Sequence, residues 1–280
     1  MTTAARKRFR FNFRASLGIP FAVFMLVFVI VPLGLIVYYA FTDSSGQFNL
    51  DNWKLIFTGI DKWRLIGRTF LIALLTTVFC ILIAYPIAFI LSNRKINKNK
   101  VLVYFFIMPM WVNFVLRTLA LRDMVNWITS TLFSFQLTAS HPFIGVVFGM
   151  VYDYLPFAIL PLYNQMLKLD KNQIEAAADL GANPVLVFTK TIIPMTIPGI
   201  VSACTMTFMP TMSSYVIVYF MGNGMGDVSI IGTQIADYAN SGNYNAASVL
   251  SLLMLLIITI SAFGERLFNK KDETRKGGIW

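Results

Sequence analysis

EAAADLGANPVLVFTKTIIP, residues Glu175 to Pro194, lies between two long apolar runs and carries an ordered set of helix signals. Just upstream, Asp170 is a strong N-cap, and Gln173 falls three residues later, the spacing of a capping box. Leu169 and Ile174 occupy the flanking positions of a hydrophobic staple. The helix that begins there runs through Glu175, Ala176, Ala177 and Ala178 and stops at Gly181, which suits a left-handed C′ position. Asn183 and Pro184 then restart a second helix as N-cap and first residue. The pattern predicts a helix, a glycine break and another helix, held outside the hydrocarbon between two membrane spans. Such a segment reads as a docking element.

Composition says what holds it. The chain is 57% hydrophobic and 13% charged, the balance of an integral membrane protein. Cys80 and Cys204 sit far apart inside apolar runs and read as two small buried residues, with no disulfide framework or thiolate metal site. The net charge of +10 would suit nucleic acid if it formed one patch, but the basic residues instead flank the apolar runs.

The basic stretch 1–16 precedes an apolar run from Leu17 to Tyr39, long enough to span a bilayer. It is longer than a signal-peptide core and no A-x-A site follows, so it reads as a retained first span. Five more are expected at 66–91, 101–120, 143–163, 197–221 and 246–268, giving a permease-like body over 17–268 and a basic tail at 269–280. Pro86, Pro109, Pro156, Pro161 and Pro210 fall inside spans, as in kinked helices that line a bundle. Of the 23 Lys and Arg residues, seventeen fall in the start, the loop 92–100, the segment 164–194 and the stretch from Arg266 to the end. By the positive-inside rule both termini and the 164–194 segment face the cytoplasm.

Nothing in the sequence suggests that this chain hydrolyses ATP. It has no G-x-x-x-x-G-K-[ST], and the cluster Gly222 to Gly226 lacks the lysine and hydroxyl that hold phosphate and magnesium, so it reads as a turn. His141 is single and precedes Pro142, without the partners a metal site needs. No Ser/His/Asp or Cys/His set is present.

Glu175-Ala176-Ala177, Gly181 and Pro194 resemble the EAA signature of binding-protein-dependent ABC importer permeases, including the thirteen-residue interval from glycine to proline. Thr191 stands where that family has Ile, and Ile193 where Leu is usual. Asn49-Leu50-Asp51-Asn52-Trp53, Ala84-Tyr85-Pro86, Pro109 to Asn113, Leu155-Pro156, Pro161-Leu162-Tyr163 and Leu169-Asp170 make nearly the whole chain similar to the PotB-type spermidine/putrescine permeases. The resemblance implies an all-α, six-span permease of the MetI-like, type I ABC importer fold, in a bacterial cytoplasmic membrane and without catalysis of its own. It also implies a PotC-type second permease, a PotA-type ATPase dimer carrying ATP and Mg, and a PotD-type extracytoplasmic binding protein, with polyamine as cargo. Glu175 would touch the ATPase, Ala176 and Ala177 would allow close approach, Gly181 would supply the turn, and Pro194 closes the motif. A loop that merely capped its own helices would need neither Glu175 nor the alanine pair.

Candidate pathway residues are polar groups inside spans. Asp153 lies mid-span, where a carboxylate is costly and usually faces the bundle or water. Gly145 and Gly149 share its face, which suits close helix contact and points Asp153 inward. It serves either to attract a polyamine ammonium, with Tyr152 or Tyr154 adding a ring or hydroxyl, or to hydrogen-bond a neighbouring helix. Ser202, Met206, Met209, Pro210 and Ser213 form a weakly polar stripe that suits pathway lining or ordinary packing. Trp111 and Arg117 fit an interfacial belt with a snorkelling arginine, although the resemblance also makes Trp111 a pathway candidate. Asp227 and Asp237 read as solvated loop acids. The same architecture importing an anion or ferric iron, an ion-driven secondary transporter, and a membrane-embedded enzyme are the alternatives.

Overall fold

The computed structural model describes residues 18–43, 45–93, 97, 101–222 and 228–276, with only the backbone of 55–56 and 265–276. The basic start, the loop cations Arg94, Lys95, Lys98 and Lys100, the glycines at 224 and 226 together with Asp227, and the last four residues lie outside the described residues.

Among the described residues the chain is helical, with one isolated bridge between Thr42 and Phe48. Five helices are long and apolar enough to cross a membrane: α1 (Ile19–Ala40), α3 (Ile60–Ser92), α7 (Pro142–Met166), α9 (Pro184–Met212) and the apolar part of α12 (Tyr244–Lys276). A sixth candidate is the pair α4 (Val101–Trp111) and α5 (Phe114–Phe133), apolar enough together to cross and bent by 97° at the break between them. Short helices α2 (Asp51–Thr58), α6 (Leu137–Ser140), α8 (Lys171–Asp179), α10 (Val216–Met221) and α11 (Ile231–Asn240) join them.

The core is the triangle of α3, α7 and α9. Helix α3 contributes Ile72, Thr76, Cys80, Ala84 and Ala88, one residue per turn and all buried. Small residues at this spacing let helices approach closely where no hydrophobic driving force separates protein from lipid. The crossing of α7 and α9 is tight at Gly199, where a Cβ would stand 2.6 Å from Gln165 Cβ. Gln165 Nε2 also donates to the Met195 carbonyl across that crossing (3.0 Å). Buried threonines return their hydroxyls to their own helices, Thr77 to the Ala73 carbonyl and Thr207 to that of Ala203, so they pack without unpaired polarity. Helices α1, α11 and α12 form a smaller second cluster around Ala40, Ile231, Val249 and Leu250. None of the apolar window of α1 is buried within the subunit.

Two expected spans need correction. The third is two helices, because α4 ends in a tight 3-10 turn at Trp111 and Asn113 starts a new helix. The fifth begins thirteen residues early and ends at Met212, because helix runs from Pro184 through a π-turn at Phe188–Ile192 into the membrane segment. Val216–Met221, expected within it, is a separate helix beyond a break at Ser213 to Tyr215. Cys80 is buried and Cys204 half-buried, both as free thiols.

Candidate functional site

Two places concentrate the residues singled out by sequence. The first is the segment between α7 and α9. Asp170 caps α8 by accepting from the Asn172 amide (3.0 Å). The expected reciprocal bond from Gln173 is absent among the described residues, because the cap bonds the second helical amide instead of the third. Gly181 has φ +83, and its amide donates to the Ala178 carbonyl (2.9 Å) while that of Ala182 donates to Ala177 (3.2 Å). This pair of bonds is a Schellman motif. No atom lies within 4 Å of a Cβ built on Gly181, so only its backbone conformation demands glycine. Asn183 then caps α9 through the Leu186 amide (2.8 Å), with Pro184 at the first position.

The exposed face of this segment is what the capping signals leave over. Glu175 and Ala176 are exposed and Ala177 is half-buried; Pro194, at the far end of the motif, is exposed on α9. Leu180, at the apex, is 89% exposed. An apolar side chain so open on a hairpin of two capped helices suits a partner surface. Beneath it, Gln165, Lys168, Asp170, Gln173, Pro194 and Pro198 line a cavity of about 290 Å³.

The second place is the interior around Asp153. Its carboxylate has 0% exposure, and both oxygens are engaged. Arg117 Nε donates to Oδ1 (2.6 Å) and the Thr118 hydroxyl to Oδ2 (2.9 Å). The same guanidinium donates through Nη2 to the Asp153 carbonyl (3.4 Å) and through Nη1 to the Pro109 carbonyl (3.0 Å). Rings of Phe114 and Tyr152 stand 5.7 and 5.9 Å from its Cζ. Arg117 is therefore 8% exposed and does not snorkel, because the bend after Trp111 turns its helix towards α7. Gly145 and Gly149 allow the close approach expected of them, with Met221 of α10 lying against both.

The remaining candidates are dispersed. Tyr154 is buried and its hydroxyl donates to the Pro210 carbonyl (3.3 Å), linking α7 to α9, whereas Tyr152 is exposed beside Arg117. Trp111 is 77% exposed at the bend. Met206 is exposed, and Ser213 sits at the end of α9 with its hydroxyl on the Pro210 carbonyl (3.2 Å). Asp237 is on a helix and half-buried, with Oδ1 lacking a partner among the described residues, so it is not a solvated loop acid. Sequence reasoning missed Arg117 and Thr118 as partners of Asp153. The available signal was one cation and one anion both inside apolar runs, since intramembrane charges pair with one another.

Comparison with known proteins places this geometry. The PotB spermidine/putrescine permease protein of Haemophilus influenzae is 29% identical over 268 residues, covering 89% of this chain and 93% of that one. Its counterpart from Escherichia coli is 28% identical over 270 residues, covering 89% and 96%. A chain of a bacterial alginate ABC transporter superposes with a TM-score of 0.70 at 14% identity, covering 92% of this chain and 94% of that one. One from the MetNI methionine ABC transporter gives 0.55 at 18% identity, covering 74% and 94%. These two show the fold, that of ABC importer permeases. Residues 81–271 match the family described as binding-protein-dependent transport system inner membrane component, and the chain belongs to that family of non-catalytic, multi-pass permeases.

Proposed function

We propose that this chain is one permease subunit of an ATP-driven polyamine importer and that the segment from Asp170 to Pro194 couples it to the ATPase. The observation that carries the coupling reading is continuity. Helix α9 starts at the capped turn after Gly181 and runs unbroken into the bundle, so force applied to the exposed hairpin reaches the span directly. Glu175 makes the polar contact with the ATPase, Ala176 and Ala177 bring the backbones close, and Gly181 holds the turn. In this reading the hairpin and both termini are cytoplasmic, as the distribution of Lys and Arg supports. The partners are a second permease of PotC type, a PotA-type ATPase dimer holding ATP and Mg, and a PotD-type binding protein.

The polyamine cargo is supported by the similarity to the PotB proteins over 89% of the chain. Asp153 adds less than its position suggested, because Arg117 neutralises it within the subunit. Among the pathway candidates Trp111, Tyr152, Met206 and Ser213 are exposed, Ser213 with its hydroxyl on the Pro210 carbonyl, whereas Tyr154 is buried and engages the same carbonyl.

Radiolabelled spermidine uptake and ATPase activity in proteoliposomes holding all the subunits, wild type against Glu175→Ala, test both halves. Uptake that needs ATP and is lost in Glu175→Ala is the expected result. ATPase activity stimulated by the binding protein without spermidine movement would remove the cargo and keep the importer. Uptake independent of ATP would sink the whole reading.

A further inference from the structure

The bend between α4 and α5 has no glycine or proline at its corner. The corner residues are Trp111, Val112 and Asn113, and Pro109 lies a turn earlier within α4. A proline there kinks a helix but does not by itself turn it by 97°. The corner also interrupts helical hydrogen bonding inside an apolar stretch, where each unpaired peptide group is costly. Two side chains at the start of α5 support it. The N-cap Asn113 accepts through Oδ1 from the amides of Val115 (3.0 Å) and Leu116 (3.3 Å), and Arg117 reaches back to give the Pro109 carbonyl, which also accepts from the Val112 amide (3.3 Å), a second donor (3.0 Å).

Arg117 is the group that links all three elements at the corner. One face of the guanidinium fork holds α4 through Pro109, another holds α7 through the Asp153 carboxylate and carbonyl, and the side chain itself belongs to α5. Thr118, next in sequence, takes the other Asp153 oxygen. A planar fork with several donors in fixed directions can hold such a junction, and a single ammonium cannot.

We propose that Arg117 is a positioning residue for transport: it sets the bend and so keeps Trp111, at the end of the 3-10 turn, and the non-helical Val112 and Asn113 as an exposed lip on the subunit. Asp153 is its counter-ion, making a buried cation tolerable. The proposal goes beyond the cargo and coupling assignments, and its structural readout is independent of both.

The test places spin labels on the two arms, at Tyr104→Cys and Leu132→Cys, in the assembled transporter with Cys80 and Cys204 replaced by alanine. Helical rise puts these positions about 30 Å apart for the observed bend and about 42 Å apart for a straight helix. Arg117→Met and Arg117→Lys are each expected to move population from the short distance towards the long one, and to cut the maximal uptake rate at least tenfold. The double variant Arg117→Met/Asp153→Leu leaves no buried charge unpaired and is expected to accumulate in the membrane, yet to show the lengthened distance and the same loss of uptake. It is the deciding variant where Arg117→Met fails to accumulate. A single 30 Å distance retained in Arg117→Lys and in the double variant would overturn the proposal, leaving the pair as internal packing. If wild-type vesicles move no spermidine, the distance measurement alone still decides the role of Arg117.

Discussion

The chain turns its backbone sharply at Gly181 and at Val112–Asn113, and it holds the two turns by opposite means. At Gly181 the turn is local: a positive φ, two Schellman hydrogen bonds and an asparagine cap, all within a few residues and open to the surroundings. At Val112–Asn113 it is tertiary: Arg117 and Asp153, 36 positions apart, meet across two helices in a buried ion pair. The difference lies in where each turn gets its stability. The first is a property of its own sequence and the second of an assembled bundle, so they should fail differently.

The comparison is tested hardest at the buried pair. Arg117→Met alone strands the Asp153 carboxylate and should cost about 3–5 kcal/mol of stability, whereas Arg117→Met/Asp153→Leu should recover most of that loss. Thermal unfolding in detergent checks the contrast, and equal losses in both variants would break it. Gly181→Val comes next. It meets no neighbour, so its cost of roughly 1–2 kcal/mol or more reflects the left-handed backbone alone. Gly181→Asn should recover much of it, as read by hydrogen exchange of the Lys171–Asp179 helix. If Asn were as damaging as Val, conformation would not be the reason glycine is there. Asn183→Ala should cost about 1 kcal/mol, confined to the start of α9. Smallest of all, Glu175→Ala should change unfolding by less than about 0.5 kcal/mol, since the side chain is exposed. A larger change would make Glu175 a structural residue and weaken its assignment to the ATPase contact.

The same contrast explains what could be read from the chain alone. Asp170, Gly181, Asn183 and Pro184 appear in the structure in the roles their identities predict, because caps and turns are decided within four or five residues. Four of the six apolar runs became helices near their expected places for a similar reason, as length and hydropathy suffice. The third run did not: the Asn113 cap is a local signal, but the Arg117–Asp153 pair that ties its second arm to Pro142–Met166 is not carried by length or hydropathy. Arg117 was misplaced at the membrane surface for want of that partner. The start of the fifth span was set at 197, past Pro194, although the helix begins at Pro184 and runs through both Pro194 and Pro198. The helix absorbs both, placing a π-turn just before the first and having Gln165 bond the Met195 carbonyl between them.

That absorbed boundary changes how motion travels. A helix of 29 residues from Pro184 to Met212 is a rod about 43 Å long, with one end at the exposed hairpin and the other beside Ser213. Tilted by about 5° around its middle, such a rod moves each end by about 2 Å in opposite directions, so a small push at the hairpin returns as an equal and opposite stroke at the far end. Of the places where such a rod yields, the π-turn and Pro194 fall in its near half, Pro198 at its middle and Pro210 near its far end. The chain thus has a crank that can give beside the handle, at its middle and again near the far end.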